Sequence, residues 1–160
     1  MRCPSCQHQN TAPVRFCAAC GVELPRDPAG ARSADRLASL GEAALDRGDR
    51  AAARAWFEES LTIALGVAGS DRVPRLLESF AALAASQSDY ARALTLAGAA
   101  ATVRDVTGAP PLDRPDGTVK WLARAYERLG EPAARWAWRI GREMSFDDAI
   151  EYALRTIVSS

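Results

Sequence analysis

Cys3, Cys6, Cys17 and Cys20 are the only cysteines in the chain, and they fall as C-x2-C-x10-C-x2-C. Each C-x-x-C pair can fold into a tight knuckle that aims two sulfurs at one point. Two knuckles joined by a short hairpin make a tetrahedral four-sulfur site, the geometry Zn2+ prefers. Pro4 favours a fixed turn in the first knuckle, and Gly21 supplies backbone freedom to the second. Two disulfides would need an oxidising compartment, and a redox C-x-x-C would sit singly at a helix start after a strand. Spacing and compartment therefore favour one structural Zn2+ held by the four cysteines. His8 lies close by and stands only as a substitute ligand. A closed four-sulfur site has no open coordination position, which argues against catalysis at the metal. With Val14 and Phe16 as its main apolar bulk, the segment cannot build a core that offsets chain entropy. Zinc can contribute on the order of 10–16 kcal/mol to such a module, which should be unfolded without it.

The stretch "CPSCQHQN…VRFCAACGVEL" resembles the short zinc ribbons, related to the double zinc ribbon family, found in many bacterial proteins. Their usual form is C-P-x-C, an asparagine, then F-C-x-x-C-G and a hydrophobic residue, and Asn10, Phe16 and Gly21 stand where that form has them. The resemblance implies a zinc module that docks on proteins, binds nucleic acid or serves as a small terminal unit. A nucleic-acid role would draw on Arg2, Arg15 and Arg26, with Gln7, His8, Gln9 and Asn10 on the loop, to contact phosphates and bases. Glu23 and Asp27 offset those three arginines.

The totals bound what surrounds this module. The 160 residues are 48% apolar and 25% charged, ordinary values for a globular protein. Twenty basic residues balance twenty acidic ones, so no global field draws in nucleic acid or anionic lipid. No apolar run approaches the ~20 residues of a membrane helix, and the N-terminus lacks the apolar core of a signal peptide. The expected compartment is the cytoplasm, with no membrane partner. The ribbon is expected over residues 1–24, and the mixed Pro/Gly/charged stretch 25–32 reads as a linker of at most about 26–29 Å.

From residue 33 to 158 the apolar period is helical, and a domain of about six to seven helices is expected. Leu37, Leu40, Gly41, Ala44 and Leu45 form a first stripe. "RGDR" then breaks the helix, with Gly48 suited to a left-handed cap and Asp49 to the next N-cap. Ala53, Trp56, Phe57, Ser60, Leu61 and Ala64 form the second stripe. The unit recurs about forty residues on, with Leu77, Phe80, Ala81 and Ala84, then "SDYARA" against "GDRAAA", then Ala93, Ala97 and Ala100. A third unit follows "GAPPLDRPDG" with Val119, Leu122, Ala123, Tyr126 and Leu129, a "GEP" turn, and Trp136, Ala137 and Ile140. The pattern resembles tetratricopeptide repeats, though the spacing exceeds their usual ~34 residues. Ser88 also replaces the turn glycine. The fold class expected is mainly α: a small four-cysteine zinc ribbon followed by tetratricopeptide-like helical hairpins.

The later part is similar to the end of the helical-repeat region of large bacterial signalling ATPases, including LuxR-type regulators and multidomain nucleotide cyclases. Gly98, Ala99, Ala100, Arg104, Gly108, Ala109 and Pro110 carry one half of that likeness. Gly141, Met144, Ser145, Ala149, Ala153 and Leu154 carry the other. No G-x-x-x-x-G-K-[ST] phosphate loop is present and no cyclase domain fits the length, so neither activity carries over. Asp147 and Asp148 follow Ser145 as a helix cap rather than a catalytic carboxylate pair. Phe146, Ala149, Ile150, Ala153, Leu154 and Ile157 make one stripe expected to seal the repeat stack. Trp136 and Trp138 face different ways, one toward the core and one toward an interface. Arg135, Arg139 and Arg142 read as a solvated face. The only histidine lies in the ribbon, so no Ser-His-Asp or Cys-His set exists. The expected function is a non-enzymatic protein–protein interaction module in bacterial signalling, with no small-molecule substrate. The alternative is nucleic-acid binding through the ribbon.

Overall fold

The computed structural model describes residues 3, 5–10, 16–22, 28–66, 70–109 and 115–155, and these are mainly helical with no extended strand. Expectations resting on Arg2, Pro4, Val14, Arg15, Glu23, Leu24, Arg26, Asp27, Pro110 and Ile157 lie outside the described residues. After the cysteine module come α1 (Pro28–Asp46), α2 (Arg50–Gly66), a 3-10 turn (Ser70–Arg72), α3 (Val73–Ser86), α4 (Tyr90–Thr107), α5 (Pro115–Leu129), α6 (Glu131–Glu143) and α7 (Phe146–Leu154). The first helix begins at Pro28 rather than Ser33, because a proline is tolerated in the first turn and alanines follow it.

The turns form as their residues dictate. Gly48 adopts φ +79°, and the Asp49 carboxylate accepts from the Ala52 N–H at 3.0 Å, capping α2. The second turn repeats this with Ser88 at φ +63° and Asp89 accepting from the Arg92 N–H at 3.2 Å. α1 and α2 pack as one antiparallel hairpin, and α3 and α4 as another. Gly41 lets α1 approach α2 closely, since a Cβ there would strike the Phe57 ring. The Ser60 hydroxyl ties the pair by donating to the Ala34 carbonyl at 2.7 Å. Phe57 then meets Phe80 edge-on, ring centres 5.7 Å apart, joining the two hairpins. Bidentate Arg72–Asp35 and single Arg75–Glu42 pairs bridge the same hairpins at the surface.

α4 is the centre of the body: Arg92 to Ala100 are buried all round. α6 packs chiefly on α4 rather than on α5. Gly98 and Gly141 face each other across that contact; a Cβ on Gly141 would lie 2.8 Å from the Ala99 nitrogen and closer still to the Thr95 carbonyl. Thr95 and Thr102 donate hydroxyl hydrogen bonds to the Ala137 and Arg142 carbonyls. The partners rise together along both chains, so α4 and α6 run in the same sense. Several expected stripe members point outward: Leu40 is 42% exposed, Trp136 59%, and Ala123 is exposed while Ala125 is buried. Phe146 (36% exposed) and Leu154 (38%) are only partly covered, and the fully buried residues of α7 are Ala149 and Ala153.

α7 is held at its end by two arginines. The Arg92 guanidinium donates to the carbonyls of Tyr152 (2.7 Å), Ala153 (3.3 Å) and Arg155 (2.7 Å), and Arg54 donates to Leu154 (2.8 Å). These are the orphan carbonyls of a helix C-terminus, where cations are favoured. Arg92 also stacks over the Tyr152 ring at 4.9 Å. At the other end Ser145 caps the helix, accepting from the Asp148 N–H at 3.1 Å, the role expected of "SFDD". Among the described residues no helix is long and apolar enough to cross a membrane.

Candidate metal centre

The two C-x-x-C segments form the same turn. The Cys3 N–H donates to the His8 carbonyl at 3.0 Å and the Gln7 N–H to the Cys3 carbonyl at 2.9 Å. In the second knuckle Cys17 donates to Val22 and Gly21 to Cys17, each at 2.8 Å. The residue after each second cysteine is left-handed, Gln7 at φ +61° and Gly21 at φ +69°. Glycine takes that conformation freely, whereas Gln7 does so at a cost of about 1 kcal/mol or more.

These turns bring the four sulfurs together. All four Sγ atoms lie within 4.8 Å of one another, with Cys3–Cys20 at 3.6 Å and Cys6–Cys17 at 3.5 Å, and none is in a disulfide. A tetrahedral thiolate site with bonds of about 2.3 Å has sulfur–sulfur edges of roughly 3.8 Å, so the cluster fits a metal ion. Cys3 and Cys17 are buried, while Cys6 and Cys20 are exposed. The His8 side chain is exposed and the ligand group is the four sulfurs alone.

Asn10 locks the knuckles in register. It is 4% exposed; its Oδ1 accepts from the Ala18 N–H at 3.0 Å, and its Nδ2 donates to the His8 carbonyl at 3.4 Å and to Cys17 Sγ at 3.7 Å. One side chain thus spans both turns and hydrogen-bonds a sulfur, the outer support a metal ligand needs. Phe16, expected as apolar bulk, is 51% exposed.

Backbone donors set the charge of the cluster. The Cys6 N–H lowers the Cys3 thiol against the opposing effect of burial. Burial works to raise Cys17, but the Cys20 and Ala19 N–H groups, with Cys6 and Asn10, pull it down to about 6. Cys6 receives the His8 N–H, which lowers it, yet Cys20, burial and Cys17 together push it up to about 12. The site therefore eases ionisation at Cys3 and Cys17 and opposes it at Cys6, a contrast that a bound cation would offset.

The remaining candidates play structural parts. Arg135 pairs with Glu131, Arg139 with Glu143 and Arg142 with Asp105, so the arginines of α6 form an ion-paired, solvated face. Trp138 packs into both apolar clusters of the body, while Trp136 stands out from α6. Arg92 went unread in the sequence because the expected repeat aligns it with Ala52, which is only half-buried. Comparison with protein-family models, with curated proteins and with solved structures finds no match to this chain.

Proposed function

We propose that this chain is a non-enzymatic adaptor of bacterial signalling, acting in the cytoplasm. A structural Zn2+ on Cys3, Cys6, Cys17 and Cys20 holds a ribbon, and tetratricopeptide-like hairpins supply the main protein-binding surface. Zinc fits the donor set, because four thiolates at tetrahedral spacing suit a borderline-soft ion without redox chemistry. The observation that carries the adaptor reading is Trp136, 59% exposed on a helix whose other face is fixed by the glycine contact with α4. A large aromatic held rigidly at the surface is the kind of anchor that dominates protein interfaces.

The test is capture from a nuclease-treated bacterial lysate, comparing the intact chain with Trp136→Ala and with Cys3→Ser/Cys6→Ser. The adaptor reading expects one protein retained by the cysteine variant and lost with Trp136→Ala, whose circular dichroism stays unchanged. Retention by Trp136→Ala and loss with the cysteines would move recognition to the ribbon. The second reading, nucleic acid on the ribbon, is supported by the exposed Gln7, His8 and Gln9 side chains. Nucleic acid recovered only without nuclease, with a salt slope of about 0.9 per phosphate contacted, would replace the adaptor reading.

A further inference from the structure

The sulfur contacts have a direction. Two sulfur pairs at hydrogen-bonding distance run between knuckles, and each joins a buried cysteine to an exposed one: Cys3 (1% exposed) to Cys20, and Cys17 (3% exposed) to Cys6. An oxidant arriving from solvent reaches Cys20 and Cys6 first, and each has its own resolving partner behind it at 3.5–3.6 Å. A disulfide bond is about 2.05 Å long, so these pairs have little distance to close.

We propose that the cluster is an oxidation site for hydroperoxides, closing into two cross-knuckle disulfides, Cys3–Cys20 and Cys6–Cys17, and giving up its metal as it does so. The metal release rests on the zinc reading above. In the first step the exposed thiolate attacks the peroxide; the O–O bond breaks, a sulfenic acid forms, and hydroxide, or the alkoxide of an organic peroxide, departs. The buried thiolate of the pair then attacks the sulfenic sulfur, forming the S–S bond and expelling hydroxide. Each bridge takes two electrons from sulfur and reduces one peroxide. Two peroxides consume all four thiolates, leave no ligand charge for the divalent ion, and release it to solvent.

The pairing matters for what remains. Bridges within each C-x-x-C would leave the knuckles unconnected once the metal is gone. Cross-knuckle bridges instead form two nested loops that keep the turns together, so the oxidised module retains a constrained form where the reduced, metal-free one unfolds.

The sequence offers a direct assay on the intact, zinc-loaded chain. Trypsin cleaves after Arg2, Arg15 and Arg26, which places Cys3 and Cys6 on peptide 3–15 and Cys17 and Cys20 on peptide 16–26. Hydrogen peroxide is added while zinc release is followed with a chromophoric chelator, and the unreduced digest is read by mass spectrometry. The expected result is complete loss of bound zinc, with the two peptides covalently joined and lighter by two hydrogens per bridge. Partial reduction and differential alkylation should then assign Cys3–Cys20 and Cys6–Cys17. Separate peptides each bridged within itself, or a Cys3–Cys17/Cys6–Cys20 pairing, overturns the proposal. So does retention of zinc and all thiols under peroxide that oxidises a free dithiol peptide. A chain purified without zinc that still closes the cross-knuckle pairs would sink the metal reading and leave the oxidation site standing.

Discussion

Asn10 is the single residue on which the geometry of the metal centre turns, because it contacts both knuckles and a ligand sulfur. Replacing it with alanine leaves the Ala18 N–H without its side-chain acceptor and removes the hydrogen bond to Cys17. Asn10→Ala should therefore weaken zinc binding about 10–100-fold, measured by competition against a chromophoric chelator, with the helical content unchanged. Protons compete at the same sulfurs. Cys17 is pulled down to about 6 from an ordinary thiol value near ~8.5, so its contribution is present above the ordinary value and is lost as pH falls through 6. The raised Cys6 thiol acts in the opposite sense, keeping a proton that the metal must displace. Zinc should accordingly be retained at neutral pH and released as the solution is acidified below about 6; retention that stays flat down to about pH 4, followed by equilibrium dialysis, would contradict this assignment.

Among the elements, the α4–α6 crossing is a close backbone-to-backbone join, and two glycines make it possible. Gly141→Ala should force α6 away from the α4 backbone at a cost on the order of 2–3 kcal/mol, lowering Tm by about 5–10 °C. Gly66→Ala, with nothing within 4 Å of the new methyl, should leave Tm nearly unchanged in the same calorimetric comparison. The Arg92 clasp makes a separate prediction. At nine residues α7 is too short to stand alone, so Arg92→Ala should cost about 1.5–3 kcal/mol and abolish hydrogen-exchange protection in Ala149–Leu154 while α1 and α2 stay protected. Helices were legible in the sequence because apolar period and turn residues are local signals: Asp49, Asp89 and Ser145 all cap as their positions imply. Partners were not legible. Periodicity places Ala137 on a helix but cannot say that the surface it meets is α4, some forty residues earlier, and it took the outward-facing Trp136 for a stripe member. Gly98 and Gly141 stood out only through a family likeness, since the reason for each is the backbone of the other helix.

At the scale of the whole molecule, two kinds of cohesion meet in one chain. The body is held by buried aliphatic and alanine contacts that run from Ala34 to Ala153, whereas the only buried apolar residues among the described part of the cysteine module are Cys3 and Cys17 themselves. The C-x-x-C spacing made the four-sulfur cluster readable from sequence, because four cysteines within a short loop have few other ways to come together. What the spacing could not tell was the division into buried and exposed sulfurs, which depends on how each knuckle turns. The central claim is that a metal held by four thiolates organises the N-terminal module independently of the helical body. The most direct test is an amide NMR spectrum of the zinc-loaded chain recorded as a strong chelator is added under reducing conditions. Amides of the Cys3–Cys6 and Cys17–Val22 turns should collapse toward unstructured positions after one equivalent of metal is removed, with those of α1 to α7 unmoved. Knuckle amides that keep their dispersion without metal, or helices that melt along with them, would contradict it.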